Sequence, residues 1–464
     1  MVVVNHTLFF ALASASLDMA DGDSPAPAGF LFANDFAILD EAHTIEHIAA
    51  TQLGLHLSQK NLKYDLQRLY HPRTKKGLLK VYRRPAVLQA VEKAIQQSDH
   101  FFAELHQSIA FGRNAKEHRL RQPCSSPNTL AQPLRDLWNE IDTLAGDVND
   151  DRARAELGDT ARKLREVHGA LQLFLDQHDE ESVYWVERTG QDETQLELHA
   201  APVQIANRLR ALLFREGNTC MLTSATLGVG DPSLQWFKQR VGAESATSLC
   251  IGSPFRYEEQ MRIRIVVDMP EPTAPHYAKS LAIAIKEAVS QTQGKAFVLF
   301  TSYRAMRECA EQLQGFFKQK GWTLLVQGDG QTRHRMIEIF REDLHSILFG
   351  TDSFWTGVDV PGETLSNVIV TRLPFAVPDQ PLTQAKFEFI TAAGGDAFME
   401  LSLPDAILKL RQGVGRLIRN STDRGVIHIL DPRIVNKRYG KHFLQSLPPA
   451  PVEHVRLFPD AKGR

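Results

Sequence analysis

The sequence predicts an α/β protein with two regions of parallel sheet, the first incomplete and interrupted by a long helical insertion. Three observations predict it. Short apolar runs with polar tips occur near both ends of the chain, as in Phe36-Ala37-Ile38-Leu39 before a pair of acids and Ala296–Phe300 before hydroxyls. Helical patterns separate many of these runs, which is the pattern of a doubly wound sheet. Between about Leu62 and Val203 the character changes, and apolar residues such as Leu88, Val91, Ala94 and Ile95 stand at helical spacing among Leu, Glu, Lys, Gln and Arg.

The first region runs strand, short helix, Gly/Pro-rich loop from Asp21 to Gly29, strand, helix. Val2–Val4 is expected to be a buried strand that starts abruptly, as if something once preceded it. After Val203 the strand candidates are Cys220–Leu222, Arg262–Val267, Ala296–Phe300, Thr323–Val326, Ser346–Phe349, Asn367–Val370 and Val426–Ile429. The expected divisions are 1–60 for the partial first domain, 61–202 for the insertion, 203–230 for the return to the first domain, and 231–464 for the second. The insertion carries a basic stretch from Lys63 to Arg84, including Arg73, Lys75, Lys76, Lys80 and Arg83. It reads as a surface for DNA or a partner, or as a solvated face.

With 464 residues, 43% hydrophobic and 23% charged, the chain has ordinary globular composition. A net charge of −2 leaves any nucleic-acid argument to local patches. Cys124, Cys220, Cys250 and Cys309 stand far apart, so no iron–sulfur run or thiolate zinc site is readable, and a reducing compartment is expected. No cationic segment precedes the apolar N-terminus, and no run reaches the length of a membrane span. The expected location is the cytoplasm.

Asp40-Glu41-Ala42-His43 follows an apolar strand directly. One carboxylate at a strand tip suits a hydrated Mg²⁺, and a second can polarise an attacking water. An acidic helix N-terminus is the plainer alternative. The overlapping His43-Thr44-Ile45-Glu46-His47 matches an inverted zinc-peptidase pattern, in which His43 and His47 bind the metal and Glu46 is the base. Thr223-Ser224-Ala225-Thr226-Leu227, after another short strand, offers hydroxyls for a relay or simply a turn.

In Gln412-Gly413-Val414-Gly415-Arg416-Leu417-Ile418-Arg419, Arg416 and Arg419 are expected at i, i+3 on one helical face, with Gln412 a turn earlier. Two guanidiniums and an amide suit polyphosphate, and the glycines imply close backbone approach. The segment Gly350–Gly362, with Thr351, Gly357 and Asp359, reads as a loop beside nucleotide and strand, in which Trp355 is expected in the core. Phe300-Thr301-Ser302-Tyr303 offers hydroxyls and an aromatic to a phosphodiester backbone.

In this order, D-E-A-H, S-A-T, F-T-S-Y, F-W-x-G-V-D-V-P-G and Q-x-x-G-R-x-x-R, the chain resembles the DinG/XPD group of DEAH helicases over nearly its whole length. Asn5-His6 and Arg372, in Thr371-Arg372-Leu373-Pro374-Phe375, also lie in stretches of family character. The resemblance implies two RecA-like domains with ATP in a cleft between them, single-stranded or forked DNA across their tops, and an arch-like helical insertion in the first. It implies that Asp40 holds Mg²⁺ and, with Glu41 and His43, serves the nucleotide. Ser224, Ala225 and Thr226 would couple hydrolysis to DNA. Gly357, Asp359, Gln412, Arg416 and Arg419 would face nucleotide, and Arg416 and Arg419 would join the acids in catalysis. Thr301, Ser302, Tyr303, Thr351 and Arg372 would contact DNA.

Three departures accompany the resemblance. The phosphate-binding loop G-x-x-x-x-G-K-[ST] does not occur, since Gly294-Lys295 and Gly440-Lys441 are followed by Ala and His and lack the first glycine. The cysteine-ligated iron–sulfur domain of some members is also missing, so no such cluster is expected in this chain. Both elements would precede Met1, and a missing N-terminal motor segment in cis or trans is therefore expected. The third departure is Thr356, where many relatives are expected to carry glutamate. The leading expectation is the C-terminal part of a 5′→3′ DNA helicase of repair or replication, inactive alone. The competing expectations are a non-catalytic single-strand-binding protein with a vestigial motor and, more remotely, the zinc hydrolase.

Overall fold

The computed structural model describes residues 1–17, 36–112, 115–124, 126–190, 192–214, 217–228, 230–355 and 364–458. The chain forms two compact units. Met1–Thr223, Lys238–Glu244 and Val377–Gly394 make up the first, and Ser224–Phe237, Ser245–Ala376 and Gly395–Arg464 the second. These boundaries differ from the expected ones. The S-A-T segment falls with the second unit, while two short excursions from the C-terminal half return to the first.

The strands of the first unit are β1 (Phe36–Leu39), β2 (Leu55–Ser58), β3 (Glu117–Leu120), β4 (Ser182–Thr189), β5 (Gln195–Pro202) and β6 (Thr219–Leu222). β1 and β6 pair in parallel, Leu39 beside Leu222. Val2–Val4 is not a strand: Val2 and Val3 are 76% and 83% exposed, and the helix His6–Leu17 follows at once. Three β-branched residues favour a strand only where a sheet edge pairs with them, and among the described residues this sheet holds β1 and β6 alone.

The insertion is not purely helical. Helices Gln59–Leu69, Pro85–Ser108, Ala131–Asp147 and Asp151–Asp176 pack on an antiparallel sheet of order β2-β5-β4-β3. Leu57, Val186, Leu196 and Leu198 cover one core with Val91, Phe101, Leu137 and Phe174 from the helices. β5 alternates strictly from Leu196 to Ala200, as a half-buried strand must.

The second unit has β7 (Met261–Val266), β8 (Ala296–Leu299), β9 (Leu324–Val326), β10 (Ile347–Gly350), β11 (Asn367–Val370), β12 (Gly425–Ile429) and β13 (Val452–Val455). They form one sheet of order β13-β7-β12-β11-β8-β10-β9, parallel throughout. Every residue of β8, β10 and β11 is buried, because both faces carry apolar cores. Phe297 and Leu299 enter one core, Ala296 and Val298 the other. All strand ends of one polarity therefore share one edge, where a parallel sheet presents its loops. No helix among the described residues is long and apolar enough to cross a membrane.

Candidate functional site

In the first unit, the β1–β6 pairing brings Asp40 and Thr223 together just past the strand ends. Thr223 N–H donates to the Leu39 carbonyl at 3.0 Å, and Ala42 N–H donates to the Thr223 carbonyl at 2.9 Å. The Thr223 hydroxyl donates to Asp40 Oδ1 at 2.7 Å. This bond, then the Glu41 backbone N–H, holds the exposed Asp40 carboxyl below its ordinary pKa. Glu41 takes a left-handed backbone at φ 50, a conformation a non-glycine residue adopts only when its surroundings enforce it. Its carboxylate lies 3.3 Å from His43 Nδ1. Burial pulls the His43 imidazole below its ordinary pKa, against the opposing pull of Glu41. An exposed, ionised carboxylate with hard oxygen donors fits a hydrated Mg²⁺.

The zinc-peptidase pattern does not assemble here. The Glu46 carboxylate is held between Arg240 and Lys386, and its side chain is only 17% exposed. Burial would raise its pKa, but the two cations outweigh burial and hold it at about 2. A carboxylate so paired is not a free base. These partners stand on the two excursions that rejoin the first unit.

In the second unit, the segments after β8, β9, β10 and β11 lie on one sheet edge. Gln327, past β9, links three of them. Its Nε2 donates to the Tyr303 and Ser353 hydroxyls, and its Oε1 accepts from Thr351 N–H at 2.7 Å and the Thr351 hydroxyl at 3.0 Å. Thr301 and Arg372 are half-buried on the same edge. Ser302 caps the helix Tyr303–Lys320, accepting from Ala305 N–H. Thr351 is buried, so the accessible groups here are Tyr303 and its neighbours. Gln327 was absent from the sequence expectations because a lone glutamine after a short strand carries no pattern.

Gln412 and Gly413 lie in the helix Leu403–Val414, but Arg416 and Arg419 do not continue its face. The helix ends at Val414, with Gly415 as its cap. A Cβ on Gly413 would stand 2.8 Å from Trp355 Cε3 and 3.0 Å from Leu299 Cδ1, so glycine permits the close approach the sequence implied. Trp355 is wholly buried, with its indole N–H on the Phe300 carbonyl at 2.9 Å. Beyond the cap, Arg416 turns inward, 3% exposed, and donates to the Phe354 carbonyl. Burial, then the like charges of Arg419 and Arg333, push its guanidinium down to about 9. Arg333, over the Phe354 ring at 5.7 Å, is a second residue missed from sequence. Gln412 Nε2 donates to the Thr226 hydroxyl at 3.3 Å, and Arg411 donates to the Gly228 carbonyl. Ser224 Oγ accepts from Thr226 N–H at 3.2 Å, while Ala225 offers only backbone. Gly357 and Asp359 lie outside the described residues, as does Thr356.

Residues 285–450 match the family described as Helicase C-terminal domain. The chain is 34% identical over 460 residues to ATP-dependent DNA helicase YoaA of Escherichia coli (strain K12), covering 97% of this chain and 67% of that protein. The chain belongs to the DinG/YoaA helicase family. The YoaA of Haemophilus influenzae is also 34% identical, over 97% of this chain and 66% of its own length. ATP-dependent DNA helicase DinG of Photobacterium profundum is 29% identical over 97% and 68%. This DinG/YoaA chain thus spans about two thirds of these relatives. Among solved structures, "XPD_Helicase" has a TM-score of 0.58 at 13% identity, over 92% of this chain and 69% of that one. "Structure of S. tokodaii Xpd4" has 0.58 at 12%, over 96% and 80%. These likenesses establish the helicase-type α/β fold.

Proposed function

We propose that this chain is the DEAH-box and C-terminal motor portion of an ATP-dependent DNA helicase. It translocates 5′→3′ on single-stranded DNA and opens forked duplexes in cytoplasmic DNA repair or replication. The observation that carries the reading is Arg416, a guanidinium buried beside two further cations and, among the described residues, with only a carbonyl as its hydrogen-bond acceptor. Burying an uncompensated charge is costly, and an incoming polyanion offsets that cost.

Asp40 would hold Mg²⁺ through water, and the ion would neutralise charge on the phosphates. Glu41 orients and polarises the hydrolytic water, with neutral His43 as its neighbour. Arg416 and Arg419 stabilise charge developing on the γ-phosphate, where such arginines contribute about 10³-fold or more. Gly357 and Asp359 belong to the same nucleotide chemistry. Gln412 passes the nucleotide state to Thr226 through their hydrogen bond, within the Ser224-Ala225-Thr226 turn. Thr301, Ser302, Tyr303 and Arg372 form the DNA-facing edge, with Gln327 tying Tyr303 to the buried Thr351 beneath it.

The chain contains no phosphate-binding loop, so it lacks the backbone cradle and lysine that hold β- and γ-phosphates. Alone, it should turn over ATP negligibly. The test is single-strand-stimulated ATPase activity of this chain alone and joined to a segment carrying that loop. Turnover only in the joined form supports the reading. Robust turnover alone removes the need for the loop. Salt-sensitive strand binding that ignores ATP and magnesium in both forms would make it a binding module instead.

A further inference from the structure

The antiparallel sheet of the first unit carries a side-chain cluster that the motor does not use. Register places His56 opposite His199, Trp185 opposite His199, and Glu187 opposite Glu197. Directly paired residues, and residues two apart on a strand, share a face. His56, Glu187, Glu197 and His199 therefore project from the side opposite Leu57, Val186 and Leu198, which cover the core.

Their ligand atoms converge. His56 Nε2 lies 3.2 Å from Glu197 Oε2, and His199 Nε2 lies 3.8 Å from the same oxygen. Glu187 Oε2 is 3.5 Å from His199 Nε2. One ligand atom from each of His56, Glu197 and His199 falls within 4.8 Å of the others. The rings are already ordered: His199 stacks on Trp185 at 4.9 Å and 6°, and on His56 at 4.8 Å and 28°. Yet His199 Nε2 is buried and, among the described residues, has no hydrogen-bond partner. An unmet polar atom of this kind ordinarily costs about 1–3 kcal/mol.

We propose that His56, His199 and Glu197 bind one zinc-like divalent cation, with Glu187 as the fourth ligand. Two imidazole nitrogens with carboxylate oxygens favour Zn²⁺ over Mg²⁺ or Ca²⁺, which prefer oxygen alone. Tetrahedral zinc places neighbouring ligand atoms about 3.4 Å apart. The separations of 3.2, 3.5 and 3.8 Å bracket that value, and rotation of the Glu197 carboxylate closes the widest, to His199 Nε2. Four protein ligands leave no open position, so the site is structural rather than hydrolytic. It pins β2, which follows the helix after the acidic tip, to the β4–β5 hairpin.

The experiment is titration of the purified full chain with Co²⁺, read by visible absorption and by competition with Zn²⁺. The expected result is one equivalent with a tetrahedral spectrum, displaced by Zn²⁺ but not by Mg²⁺. His56→Ala and His199→Ala should each weaken binding by at least about 100-fold, while the metal-free variants keep the wild-type circular dichroism. His56 is exposed on its strand, so its variant tests the site even if the His199 variant misfolds. No tetrahedral spectrum, or undiminished binding by the His56 variant, overturns the proposal.

Discussion

Thr223 donates its hydroxyl hydrogen to Asp40, across two parallel strands whose tips it also ties together by backbone bonds. A motif residue of one strand thus sets the charge of an acid 183 positions earlier. Thr223→Val removes the donor with little change of shape. The Asp40 carboxyl should then titrate closer to its ordinary value. Because its folded pKa is depressed, its ionised form is fully present above the ordinary carboxyl range and is lost as pH falls through the lowered value. The variant should lose it at higher pH, as read by carboxyl NMR titration; an unchanged Asp40 titration would contradict this bond's role.

Glu46 is the electrostatic anchor of the chain's two excursions. Lys386→Met or Arg240→Met should destabilise the protein by about 3 kcal/mol, because one buried partner is left under-compensated. The Glu46 pKa is held at about 2, so its stabilisation is present above the ordinary carboxyl pKa and fades as pH falls toward 2. Urea unfolding at pH 7 and at pH 3 should show the difference between wild type and variant shrinking in acid. Equal differences at both pH values would assign the loss to packing alone.

Gly413→Ala should cost about 1–3 kcal/mol by overpacking against Trp355 and Leu299. The midpoint of urea unfolding checks it. An unchanged midpoint would mean that the indole gives way freely.

What the sequence shows and what it conceals follow from the range of the interactions. An acid after an apolar run marks a strand tip, and the close approach at Gly413 is readable because it demands a missing Cβ, although its neighbour Trp355 is not. The antiparallel sheet of the insertion is hidden, because helix-forming composition dominates the region and His56 meets Glu197 from 141 residues away. Local spacing likewise offers Glu46 as a zinc-site base, whereas its buried partner Lys386 stands 340 residues on. The arginines illustrate the opposite failure. Spacing at i, i+3 presumes a continuing helix, but Gly415 ends it and Arg416 turns into the interior.

On the proposed function, Arg416 is kept buried for the sake of a triphosphate and not for the fold. The measurement is single-strand-stimulated ATP turnover of the chain joined to a phosphate-binding-loop segment, with thermal unfolding followed in parallel for Arg416→Met. Turnover should fall about 10³-fold with a melting temperature equal to or above that of wild type, since a buried charge that has no anionic partner among the described residues has been removed. Wild-type turnover in the variant, or a loss of turnover accompanied by a collapse in stability, would contradict it.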